Sequence, residues 1–120
     1  INACPDDTWE ALRDFANLHT RLVPGFATAC VMDGETRVVT FANGNVARER
    51  FISSDDGQKR LCWSIEGAPF KHHNGVAQVF PEGEGCRFVW TADLLPHELA
   101  PAIGQMMEMG IQIIKKTMEK

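Results

Sequence analysis

Residues 96–120 read PHELAPAIGQMMEMGIQIIKKTMEK, and the fold turns on them. Ile103, Met106, Met107, Gly110, Ile111, Ile114 and Met118 recur at i, i+3, i+4, i+7 spacing, the mark of one apolar stripe along a helix. Pro96 stands before its start, and Pro101 falls in the first turn, where proline is tolerated. A helix from His97 to Glu119 spans about 34 Å at 1.5 Å per residue. A single stripe of that length requires a matching apolar surface elsewhere in the chain.

That surface is read from Phe26 onward, where the period shortens. The runs FATACVMD, ETRVVTFA, VARERFIS, RLCWSIEG, GVAQVF and CRFVWTADL are short and rich in β-branched and aromatic residues. Asp33-Gly34, Asn43-Gly44, Asp56-Gly57 and PEGEG separate them as turn signals. Strands so close together need tight turns, so six antiparallel strands are expected. Ahead of them, Pro5 with Asp6 and Asp7 opens a helix carrying Trp9, Leu12 and Ala16 on one face. NLHTRL reads as a second short helix, and Val23-Pro24-Gly25 ends the segment. The sum is one α+β domain over residues 1–120: two short helices, then six strands, then the long helix laid on the sheet.

Composition narrows the function. The 120 residues carry a net charge of −4, with Lys and Arg scattered, which speaks against a nucleic-acid surface. Lys115-Lys116 is a solvated helix end whose cations suit the helix dipole. No apolar run approaches the ~20 residues of a membrane span. Cys4, Cys30, Cys62 and Cys86 contain no CxxC pair and give no zinc signature. A domain of this size needs no disulfide staples, so reduced thiols and a cytoplasmic setting are expected. Cys62 and Cys86 sit in apolar runs as small hydrophobes. No nucleophile elbow, phosphate-cradling glycine loop or helical HExxH is present, and no cofactor or metal is expected.

Two places carry polar residues where apolar ones are due. In TRVVTFANGNVARERFIS, alternation puts Arg37, Val39 and Phe41 on one strand face, and Ala47, Glu49 and Phe51 on the next. A three-residue NGN turn opposes 39 to 49 and 37 to 51, setting Arg37 and Glu49 diagonally. Thr36, Val38, Thr40, Arg48 and Arg50 then face solvent. Such a pair is either a salt bridge at the hairpin end or a polar patch in a ligand cavity. The second place is APFKHHNG, an irregular lead-in to a strand. Alternation sends His72 and His73 to opposite faces, so they do not share a metal. His73 has the parity of Gly75, Ala77 and Val79 and is expected as a half-exposed polar residue at the strand edge; the alternative is a pH-sensitive gate at the cavity mouth, near Thr91 or Asp93.

The order of these motifs resembles the polyketide cyclase/dehydrase-like branch of the START and pollen-allergen-like helix-grip (SRPBCC) superfamily. The matching positions run Trp9, Asp14-Phe15, Gly34, Arg37, Gly44, Glu49-Arg50, Asp55 or Asp56, Arg60, Trp63, Pro81, Gly85 and Trp90, across nearly the whole chain. The resemblance implies a curved sheet gripping the C-terminal helix around a cavity that takes lipids, sterols, polyketides or hormones. The family normally has a strand before the first helix, of which Ile1-Asn2-Ala3 is seen here: either an N-terminal piece is absent from this chain or the strand is reduced to a stub. Relatives often carry Trp after the second helix, where this chain has Leu22, which would enlarge or soften one cavity end.

Catalytic relatives are thought to use Tyr, Arg and Asn to steer aldol closure and dehydration. This chain has no Tyr. Arg37 and Glu49 are the catalytic candidates, as enolate stabiliser and proton shuttle. The preferred reading is that they orient a ligand's polar head, with Phe41, Phe51, Trp63, His73, Trp90, Ile103, Met106, Met107, Met109 and Gly110 around the rest. The expected function is binding of a hydrophobic small molecule without catalysis; the alternatives are cyclase or dehydratase action on a carbonyl substrate, and a structural or partner-binding module with a filled interior. A homodimer stays open as well. A filled cavity below about 100 Å³ would sink both ligand readings, since ligand pockets run about 300–1,000 Å³.

Overall fold

The computed structural model describes residues 1–67 and 69–119. Helix α1 (Pro5–Arg13) is followed by a 3-10 turn (Phe15–Asn17) and a short α2 (Leu18–Arg21). Six strands follow: β1 (Ala27–Asp33), β2 (Thr36–Phe41), β3 (Val46–Asp55), β4 (Arg60–Glu66), β5 (His72–Glu82) and β6 (Gly85–Leu95). A 3-10 turn at His97–Leu99 leads straight into α3 (Ala100–Met118). The sheet is one antiparallel meander in the order β1-β2-β3-β4-β5-β6. This is the expected α+β architecture. The long helix differs only in its tighter first turn, and its 19 α-helical residues reach about 28 Å.

Pro5 takes the first helical turn of α1 with Asp6 and Asp7 beside it, and Thr8, Trp9, Ala11 and Leu12 are buried. The β3–β4 turn is fastened to this helix. Trp9 Nε1 donates to Asp56 Oδ1 at 2.9 Å, and Lys59 Nζ lies 3.3 Å from Asp6. Two bulges bend the sheet. The register shifts between Ala27 and Ala29 in β1, and between Phe51 and Ser53 in β3, where Ile52 turns to solvent.

The core lies between the helices and one sheet face: Val39, Leu61, Ala77 and Val79 from the strands meet Trp9, Leu12, Leu22 and Val23. Cys62 and Cys86 are buried in their strands, and all four cysteines are free thiols. Gly110 brings α3 against the sheet, since a Cβ there would meet the Trp90 ring at 2.8 Å. Ile1 exchanges two backbone hydrogen bonds of 2.9 Å with Cys86, an isolated antiparallel pair on the outer edge of β6. Gly85 leaves room for it.

Three details correct the sequence reading. The three-residue β2–β3 loop is 42–44 and not 43–45, closed by Phe41 N to Asn45 O at 2.8 Å, so Arg37 pairs directly with Glu49 and not diagonally. Thr36, expected to face solvent, is buried. His72 and His73 belong to β5 itself, paired with Leu95 and Leu94; of the lead-in stretch, Ala68 lies outside the described residues.

A buried ion pair in the wall of an apolar cavity

Between the sheet and α3 lies a cavity of about 60 Å³. The strands contribute Arg37 and Phe41 from β2, Glu49 from β3, Trp63 and Ile65 from β4, His73 and Ala77 from β5, and Phe88 and Trp90 from β6. Leu12 of α1, Leu18 of α2 and the connection Leu22, Val23 and Phe26 close one side. Ile103, Met106, Met107 and Ile114 of α3 close another.

Register explains the polar residues. Arg37 pairs with Glu49, Glu49 with Ile65, and the Ser64–Asn74 pair sets Ile65 alongside His73. One row of side chains therefore crosses four strands on the core face. Arg37 is 3% exposed and Glu49 6%. Arg37 Nε donates to Glu49 Oε1 at 2.8 Å, and Nη2 lies 2.8 Å from the same oxygen. Nη1 donates to the Phe15 carbonyl at 3.2 Å. The guanidinium carbon stands 4.0 Å from the Phe15 ring centroid and 5.7 Å from that of Trp63, within cation–π reach of both. Among the described residues, nothing donates to Glu49 Oε2.

His73 is 5% exposed and packs edge-on to Phe70 at 4.6 Å between centroids. Its Nδ1 is buried without a hydrogen-bond partner. Burial, and then the neighbouring His72, push its pKa below the ordinary imidazole value of 6.5, so the ring is neutral at neutral pH. Cys30, beside the pair, has its thiol pKa raised chiefly by burial.

Of the residues singled out in the sequence, Arg37, Phe41, Glu49, Trp63, His73, Trp90, Ile103, Met106 and Met107 line this cavity. Phe51 does not: its ring packs edge-on to Phe15 at 5.5 Å. Gly110 lies behind the Trp90 ring. Met109, 61% exposed, points to solvent. His73 is no half-exposed gate but a buried wall residue; its neighbour His72 is the one near Asp93, at 3.3 Å. Sequence reasoning missed Ile65 and Phe88, although each shares its strand parity with a tryptophan it had chosen. Among the described residues, no cluster of three or more His, Cys, Asp or Glu could hold a metal ion.

A sheet-and-helix frame closed on such a cavity directs the comparison with known proteins. The model of the family described as polyketide cyclase/dehydrase and lipid transport matches residues 1–119. The chain belongs to that family. Among solved structures, the chain is similar to XoxI from Bacillus cereus at TM-score 0.86 and 18% identity, covering 100% of this chain and 91% of that one. It is also similar to a norcoclaurine synthase point mutant from Thalictrum, in complex with a transition-state analogue. There the TM-score is 0.69 and the identity 19%, over 99% and 89% of the two chains. A START superfamily protein from Mycobacterium smegmatis matches at TM-score 0.69 and 9% identity, over 99% and 89%. These identities speak for the helix-grip fold alone. No curated protein sequence matches the chain significantly.

Proposed function

We propose that this member of the polyketide cyclase/dehydrase and lipid transport family binds a small, mostly apolar molecule with one polar end. The ligand lies between the core face of the sheet and α3, its polar end against Arg37 and Glu49. The observation that carries this reading is the ion pair buried, with His73, in a wall that is apolar elsewhere. A buried pair contributes little to stability compared with apolar residues of the same shape. Its presence therefore calls for a reason other than packing.

The volume sets a condition. At about 60 Å³ the cavity falls below the 100 Å³ mark and far below the ~300–1,000 Å³ of preformed ligand sites. In the structure as it stands, both ligand readings fail that criterion, so no rigid cavity of this size serves either of them. Binding requires the first half of α3 to yield, and Ile103, Met106 and Met107 are only half-buried there. Thioether side chains repack readily, which suits such a wall. The small volume also favours a second reading, a structural or partner-binding module whose interior is filled by its own side chains. Catalysis on a carbonyl substrate is less well supported, because Arg37 already engages Glu49 and the Phe15 carbonyl.

Organic extraction of the purified protein followed by mass spectrometry separates these readings, together with a thermal-shift series of medium-chain amphiphiles. A stoichiometric co-purifying molecule, or a saturable rise in Tm, is expected. Recovery of no small molecule and no rise in Tm would leave the filled interior as the correct account.

A further inference from the structure

We propose that two copies of this chain associate through β1, pairing edge to edge as antiparallel strands about a two-fold axis at Val31. The inference concerns the outer rim of the sheet and is independent of what the cavity holds.

Strand β1 is one end of the meander, so among the described residues no strand lies along its outer side. Register fixes which backbone groups face that side. Phe51 N donates to the Glu35 carbonyl at 2.9 Å, which turns Glu35 toward β3 and Thr36 toward β1. Thr36 pairs with Asp33, so Asp33, Val31 and Ala29 bond inward to β2, while Cys30 and Met32 present N–H and C=O outward. Among the described residues, no hydrogen bond from another element reaches those outward groups. The 3-10 turn meets β1 on the core side, where Cys30 Sγ donates to the Phe15 carbonyl at 3.8 Å.

Edge strands are commonly guarded by a lysine, a proline or a charge, and β1 has none of these from Ala27 to Met32. Its one bulge lies at the far end, between Ala27 and Ala29. The outer face beside the edge is apolar too. Val31, 64% exposed, neighbours Val38, and Ala29 neighbours Thr40, which neighbours the exposed Val46.

A second copy is the occupant that this strand fits. With the axis at Val31, Cys30 pairs with Met32 of the second copy, and Met32 with its Cys30. Both positions face outward, so the two pairs together use every outward group of the regular segment in both copies. An axis at Cys30 would instead oppose Met32 to Thr28, inside the bulge. Val31 then stands against its own copy in a non-hydrogen-bonded pair, about 4.5 Å between Cα atoms, and the two apolar faces become continuous. Charge permits the pairing. Asp33 falls opposite Ala29 of the second copy, about 13 Å along the strand from the other Asp33 and beyond the ~10 Å screening length. Each Asp33 is also 2.9 Å from its own Arg48. The regular segment is only about 17 Å long, at the small end of protein interfaces, so a weak and reversible dimer is expected.

Sedimentation velocity of the purified protein from micromolar to millimolar concentration tests this. The average mass is expected to climb from 13.4 kDa toward twice that value. Val31→Lys and Val31→Glu each set like charges face to face and are expected to stay monomeric, while their equimolar mixture dimerises. Met109→Lys, on the exposed side of α3, is expected to leave association unchanged. In a Cys4→Ser background, Val31→Cys is expected to form an intermolecular disulfide at least about tenfold faster than Ile52→Cys, because the paired Cα atoms lie within bridging distance. Val31 is exposed, so its variants are expected to fold, and circular dichroism checks this. A protein that stays monomeric throughout the range, or a dimer that survives Val31→Lys, would overturn the proposal, and neither result bears on the ligand reading.

Discussion

Removing one partner of the Arg37–Glu49 pair leaves a buried charge with nothing to balance it. Glu49→Ala should therefore destabilise the protein by about 3–5 kcal/mol, whereas replacing both residues, Arg37→Met with Glu49→Leu, should cost far less. Urea denaturation of the three proteins checks this; equal losses would mean the pair is wetter than its 2.8 Å geometry implies. His73 gives a pH signature. Its folded pKa lies below the unfolded value of about 6.5, so the unfolded chain binds the proton more readily. The stability held above pH 6.5 should fall as pH drops from there toward the folded pKa. A His73→Leu variant should lack that part of the slope in melts between pH 5 and 7.5. At this scale the sequence told that Arg37 and Glu49 share one face, because alternation dictates it. It did not tell that Arg37 and Glu49 stand directly opposite, because the loop closes one residue earlier, between Phe41 and Asn45, and that sets the register.

The two glycines of α3 separate propensity from packing. A Cβ at Gly104 meets nothing within 4 Å, so Gly104→Ala should stabilise by about 0.5–1 kcal/mol through helix propensity. At Gly110 the same methyl meets Trp90 at 2.8 Å, and Gly110→Ala should destabilise by about 1–3 kcal/mol. Thermal unfolding of both variants distinguishes the cases, and a stabilised Gly110→Ala would mean that α3 sits further from β6. The helical stripe was legible from 3.6-residue spacing. Its uneven burial was not: only Gly110 and Ile114 are fully buried, while Met109 points outward. Strand β3 shows the same limit. Its alternation was read correctly up to Phe51, but the bulge at Ile52 is a property of pairing with β4 and leaves no mark in a single strand.

For the molecule as a whole, this uneven burial predicts a gradient of local stability. Amide exchange should be faster over residues 101–107 of α3 than over 110–117, because local opening follows buried apolar contact. A bound medium-chain amphiphile should slow exchange in the first half if α3 closes over it. Uniform protection along α3 would remove the expansion that the proposed function needs. The sequence by itself determined the α+β class, the six antiparallel strands, the long C-terminal helix laid on the sheet and the common face of Arg37 and Glu49. All of these follow from local periodicity and turn chemistry. Only the tertiary structure decided the size of the cavity, the burial of His73 and the contribution of Leu12, Leu18 and Phe26 to the wall. Those depend on how closely elements far apart in the chain approach one another. The close approach of α3 and the helices at the other end of the chain leaves about 60 Å³ where the family resemblance led us to expect an open pocket.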